Sequence, residues 1–170
     1  MATFTHQPIK PCNTGSIRKR EGGAATSETW GRGAVLIQSS GYLAEGGTNP
    51  TEIVGVAIHG VTSAAQGAVA QYVPADNQQE FIGSLDDSGS EGTHALVITN
   101  RYVKYGITAT SGGVWYVDVA KTADADVRVI VTDLIDDVGD VVGKVRFRFL
   151  NGVSDHGGTP VPLTIYSGTV

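Results

Sequence analysis

The sequence predicts an all-β domain, a small antiparallel β-barrel or β-tulip or a two-sheet sandwich, preceded by an extended N-terminal arm. Three observations carry this. The apolar runs are short and built mainly from Val, Ile and Thr, which suit a pleated, half-buried surface. Turn-forming residues separate them, with 23 glycines in 170 residues. In the C-terminal half, apolar residues recur at every second position, as they must when alternate side chains leave a sheet on opposite faces. A chain of this length forms one domain that buries about 70% of its unfolded surface.

Residues 1–29 have no sustained period of either kind. They hold Pro8, Pro11, the Arg18-Lys19-Arg20 run and Gly22-Gly23-Ala24-Ala25. Such a composition buries too little apolar area by itself to offset the entropy of ordering it. The expectation is an arm, mobile in the free protein and ordered on a neighbour.

The β domain is expected over residues 30–155. Gly31-Arg32-Gly33 leads into a strand over Ala34–Gln38, turned by Ser39-Ser40-Gly41. This glycine pair is not a phosphate loop, because no Gly-Lys-Ser/Thr ending and no helix follow it. Further strands are expected at Ile53–His59, Val69–Val73 (stopped by Pro74) and Glu80–Gly83. The Ala-rich residues 60–70 read as a loop or a loose lead-in, and Asp86–Gly92 as an exposed, mobile loop. Ala95–Thr99 reads as a strand, and Asn100–Gly106 fits either extended chain or one helical turn ended by glycine.

Val114–Val119, Val127–Thr132 and Val145–Phe149 then predict a C-terminal meander joined by the turns Asp124-Ala125-Asp126 and Asp136–Asp140. In the last strand Val145, Phe147 and Phe149 face a core, and Lys144, Arg146 and Arg148 line the outer face. That row is either a solvated edge or a surface for an acidic partner. Residues 156–170 form a tail or an edge strand, since Pro160 and Pro162 cannot donate to a ladder.

Charge and composition exclude several functions. Residues 1–32 carry five basic and two acidic side chains, the remainder seven basic and fifteen acidic, for a net charge of −5. An acidic body lacks the clustered Lys and Arg that phosphate contacts require, so nucleic acid is not an expected partner. The single Cys12 allows no intramolecular disulfide, which fits assembly in a reducing cytoplasm. No apolar run approaches the roughly 18 residues of a membrane span and no targeting leader is visible, so no membrane partner is expected.

Catalytic constellations are not legible. Ser88-Gly89-Ser90-Glu91-Gly92 lacks the strand and helix that build a nucleophile elbow. Cys12 lies in the arm, and His59 has no metal-spaced companion. The aspartates between Asp124 and Asp140 depart from the calcium-loop order and read as solvated turns. The expectation is no enzyme, no metal and no cofactor. The candidate contacts are therefore the basic residues: Arg18, Lys19 and Arg20 of the arm and Lys144, Arg146 and Arg148 of the last strand.

Taken in order, Gly33-Ala34-Val35, Gly41-Tyr42-Leu43, Ile53–Ala57, Lys104–Ile107, Trp115–Asp118, Val138-Gly139-Asp140 and Gly143–Leu150 resemble the decoration, or cement, proteins of tailed-bacteriophage heads over residues 31–150. The resemblance implies a small β-barrel or β-tulip on the outside of the virion capsid. It implies a major capsid protein as partner, and self-association, with a trimer favoured over a dimer. A second reading, a receptor- or glycan-binding β module of a phage tail, calls for exposed aromatic rings in a cleft. Trp115, in mid-strand, is expected in the core instead.

Overall fold

The computed structural model describes residues 5–12, 20–76 and 78–150. Among them the chain is nearly all β, as the composition predicts, with eleven strands in two sheets and one turn of 3-10 helix at Ile98–Asn100. The strands are β1 (Lys10–Pro11), β2 (Arg20–Gly23), β3 (Val35–Ser39), β4 (Tyr42–Glu45), β5 (Gly55–Ala57), β6 (Val69–Pro74), β7 (Phe81–Asp86), β8 (Lys104–Ala109), β9 (Trp115–Asp118), β10 (Val129–Leu134) and β11 (Lys144–Phe149).

The larger sheet runs β1-β7-β11-β10-β8-β9, and the parallel pairing of β7 with β9 closes its last five strands into a barrel. The strand β7 therefore has three partners. Along one flank lies β11, with Phe81 opposite Phe147 and Ser84 opposite Lys144. On the other flank β1 covers Phe81 and Ile82, and β9 covers Leu85 and Asp86. The second sheet runs β2-β6-β5-β3-β4, and one parallel bridge from Ala24 to Leu43 draws β4 back toward the end of β2.

Alternation in β11 works as predicted. Val145, Phe147 and Phe149 are buried, and Phe81, Phe147 and Phe149 meet with ring centroids 5.3 to 6.0 Å apart. Two contacts lock the sheets together. Trp115, at 1% exposure, donates its indole N–H to Glu45 Oε1 of β4 at 2.8 Å. The buried guanidinium of Arg128 donates to the carbonyls of Pro50 (2.7 Å), Ala125 (2.8 Å), Val127 (2.9 Å) and Asn49 (3.4 Å). Burial lowers the Arg128 pKa, and Asp126 opposes that shift.

The C-terminal meander needs correction. β10 and β11 are an antiparallel pair, but β9 does not touch β10; β8 stands between them. The strand expected at Ala95–Thr99 does not form: Ala95 makes a single bridge to Val141, and Ile98–Asn100 is the 3-10 turn. Tyr102, at φ 65°, then redirects the backbone, and Lys104–Gly106 is extended as the start of β8. The Ile53–His59 run shortens to β5, and Tyr42–Glu45 pairs with β3 although its sequence gave no strand signal.

The arm expected over residues 1–29 is corrected as well. Residues 5–12 and 20–29 lie on the protein's own sheets, with β1 on β7 and β2 on β6. The most deeply buried side chain of the first segment is Ile9. At 1% exposure, it fills space above Gly83, where a Cβ would come within 3.1 Å of Ile9 Cγ1. Burying one isoleucine contributes about 2 kcal/mol, which a periodicity count over the segment does not register. The predicted tail, residues 156–170, lies outside the described residues, as does the end of the 30–155 domain.

This packing fixes two outcomes. Phe147→Ala should cost about 3–5 kcal/mol in urea unfolding, because it opens a cavity among three rings. Arg148→Ala, one residue along on the exposed face, should change stability by less than about 0.5 kcal/mol.

Candidate functional site

Since the odd-numbered residues of β11 enter the core, its even-numbered cations must leave on the outer face. Lys144 and Arg146 are half-buried there and Arg148 is exposed. Their setting is less free than the sequence suggests. Lys144 Nζ lies 3.0 Å from Asp136 Oδ1, and Arg146 stands 3.7 Å from Glu80 and 3.9 Å from Asp133, which Arg101 also binds at 2.6 Å. Such partly exposed pairs stabilise by about 1 kcal/mol or less and compete with an incoming partner. Among the described residues Arg148 makes no ion pair. β11 is also an interior strand between β7 and β10, which removes the edge-strand reading of this row.

The register extends the cationic face beyond β11. Arg146 is opposite Ile82, and Ile82 is opposite Lys10 of β1, so two cations flank one apolar side chain across three strands. The Gly31-Arg32-Gly33 turn adds Arg32. Lys10, Arg32 and Lys144 line one cavity of about 320 Å³ together with Gln7, Ile82 and Gly83. Of the sequence-predicted contacts, the structure thus brings together Lys144, Arg146 and Arg148. Arg20 is exposed on β2 of the other sheet, and Arg18 and Lys19 lie outside the described residues. Lys10 and Arg32 were not predicted; each is a lone cation in sequence, joined to β11 only by long-range pairing.

A second polar constellation was also missed. Asp86 and Asp118, both fully buried, face each other in register where β7 meets β9. Asp86 accepts the backbone N–H of Gly92 (2.6 Å) and His94 (3.3 Å) and pairs with His6 Nε2 at 2.8 Å. Asp118 accepts the N–H of Ser88 (3.1 Å) and Ala120 (3.0 Å) and the hydroxyl of Thr108 (2.8 Å). The loop predicted to be mobile is therefore tied down at Ser88, Gly92 and His94, with Asp86 at its buried root. The ring of His6 lies against Tyr116, centroids 4.7 Å apart, and the Tyr116 hydroxyl meets Glu91 at 3.4 Å. Burial pushes the Tyr116 phenol well above the usual tyrosine range, and the nearby Asp118, Glu91 and Asp86 push it further.

Chemically this network organises backbone. Every oxygen of the two carboxylates is engaged by a donor, and no serine, threonine or cysteine hydrogen-bonds His6 among the described residues. Nor do three or more His, Cys, Asp or Glu side chains gather as a metal site there. No protein-family model and no curated protein matches the chain.

Two measurements probe the network. Asp118→Ala leaves the buried Thr108 hydroxyl and the N–H groups of Ser88 and Ala120 without their acceptor and should cost about 1–3 kcal/mol in denaturant unfolding, with Asp118→Asn recovering part of it. Because the folded-state pKa of Tyr116 lies above its unfolded value of about 10, its neutral form contributes stability in full below that pH, and the contribution is lost as pH rises beyond it. Unfolding free energy should fall above pH about 10, and fall less in Tyr116→Phe.

Proposed function

We propose that this protein is a structural, non-catalytic virion component, a decoration or cement protein that binds the outer surface of a tailed-phage head and stabilises it. The observation that carries the reading is a local excess of cations over the carboxylates of Glu80, Asp133 and Asp136 that pair with two of them. In a chain of net charge −5, Lys10, Arg32, Lys144, Arg146 and Arg148 share the outer face of β1, β7 and β11 or its rim. A positive face on an acidic body orients the molecule toward an acidic surface and turns it away from copies presented in other orientations. The resemblance over residues 31–150 supplies the surface: the major capsid protein lattice, on the exterior of a virion assembled in the bacterial cytoplasm.

Within this reading the protein bridges neighbouring capsid subunits and contacts other copies of itself, as a trimer rather than a dimer. A full shell offers many equivalent sites, so about 1–2 kcal/mol of preference per copy for the closed lattice raises the resistance of the whole shell. No chemistry is needed for that task. The glycan-binding alternative gains no support from the tryptophans, because Trp30 and Trp115 are core residues at 4% and 1% exposure.

Heads decorated with wild-type protein, heads offered Arg148→Glu, and bare heads distinguish the outcomes on a temperature ramp that follows genome release. Decorated heads should release later than bare ones, and the Arg148→Glu protein should cosediment with heads less well, most visibly at low salt. Identical release from decorated and bare heads would overturn the cement reading.

A further inference from the structure

The Gly31-Arg32-Gly33 turn has no helix after it and is not a phosphate loop, yet the fold gives it another use. Gly33 has φ +85°, and a Cβ there would lie 2.7 and 2.8 Å from the backbone O and N of Ile9 and 2.9 Å from Pro8 Cβ. Only glycine lets the turn settle this closely on the N-terminal segment. Its N–H is held by the Ala57 carbonyl at 2.9 Å, so the turn is anchored on both sides. The consequence is local: Arg32 is carried to the rim of the cavity that Lys10 and Lys144 already line.

We propose that this cavity is an oxyanion site, built for a group bearing at least two negative charges, of the phosphate or clustered-carboxylate class. Three cations reach it from segments far apart in sequence, and no carboxylate is among its lining residues. Lys10 and Arg32 have no ion pair among the described residues, while Lys144 is shared with Asp136 at 3.0 Å. Pro8 and Ile82 add apolar surface to the lining. A concave surface ringed by cations concentrates the field on an anion more than the same charges on a convex one. Arg32 contributes a planar fork suited to two oxygens of one group, and the lysines contribute compact point charges. Gln7 adds neutral donors, with its backbone fixed by a 2.9 Å hydrogen bond from Gln7 N–H to Ser84 Oγ. At about 320 Å³ the space admits a phosphate or a citrate. The site lies on the face assigned above to a partner, but its anion affinity is a property of the free protein and does not depend on that partner being a capsid.

Calorimetric titration of the full chain with inorganic phosphate and with citrate, against sodium chloride at matched ionic strength, tests this. Saturable binding is expected for at least one oxyanion, weakened by about tenfold or more in Arg32→Gln and in Lys10→Gln. Lys104→Gln, which removes one exposed cation elsewhere, should bind as wild type. Preference for phosphate over citrate assigns the site to phosphate groups, and the reverse assigns it to carboxylates. Absence of saturation, equal heats with chloride, or unchanged affinity in both Arg32→Gln and Lys10→Gln would overturn the proposal. Circular dichroism and melting of each variant confirm that a loss is not unfolding. Because heads are absent from the titration, a negative result here leaves the release measurement to decide the cement reading, and a failed release measurement leaves this site standing.

Discussion

The pair of buried carboxylates at the β7–β9 junction is the constraint on which the barrel depends. A two-residue parallel pairing is a weak seam, since parallel ladders are slanted and give little per residue. Asp86 and Asp118 reinforce it by binding what surrounds it: the loop after β7, the turn after β9, the Thr108 hydroxyl of β8 and the ring of His6. Two carboxyl groups buried this deeply are tolerable only because each is met by several donors. The seam, the loop and the first segment thus stand or fall together, although they are separate in sequence.

A different solution joins the two sheets. Arg128 is buried without a carboxylate in contact and is neutralised by four carbonyl dipoles, two from the loop before β5 and two from the turn before β10. Asn49 reinforces the joint by donating to the Asp126 carbonyl and accepting from Ile107 N–H. An arginine can do this because its five donors lie in one plane with fixed angles, whereas an ammonium presents three at a single point. Packing between the sheets is therefore directional at this point as well as hydrophobic.

How much of this was legible follows from which interactions are local. The alternation in β11 predicts both the Phe147 core and the outward cations, because side-chain direction in a strand depends only on residue parity. What the cations touch was not legible, since Asp136, Asp133 and Glu80 reach them across turns and strand pairs. β8 was hidden because Asn100 and Tyr102 favour a turn at its start, and the tertiary partners β9 and β10 decide its extended form. The segment around Ile9 was hidden for a related reason: its buried residues, Ile9 and Cys12, follow no strand or helix period, and the room for it is provided by Gly83 and Gly33, neither of them near in sequence. Asp86 reads as the start of a polar loop and Asp118 as one polar residue in an apolar strand. Only their register reveals them as core.

The end-to-end sharing of one flank of β7 by β1 and β9 also sets the order of events during synthesis. β1 leaves the ribosome long before β7 exists to receive it, and β9 comes only after β8 has been made. Until both arrive, the flank of β7 that carries Phe81 and Leu85 exposes unpaired backbone beside an apolar surface. Contacts so distant in sequence close slowly, because the loop entropy must be overcome before any pairing compensates for it. In a crowded polysome the nearest unoccupied strand that fits this flank is the β1 of a neighbouring nascent chain. Exchange of a first segment between copies is the hazard that a topology of this kind carries, and it grows with the local concentration of unfinished chains.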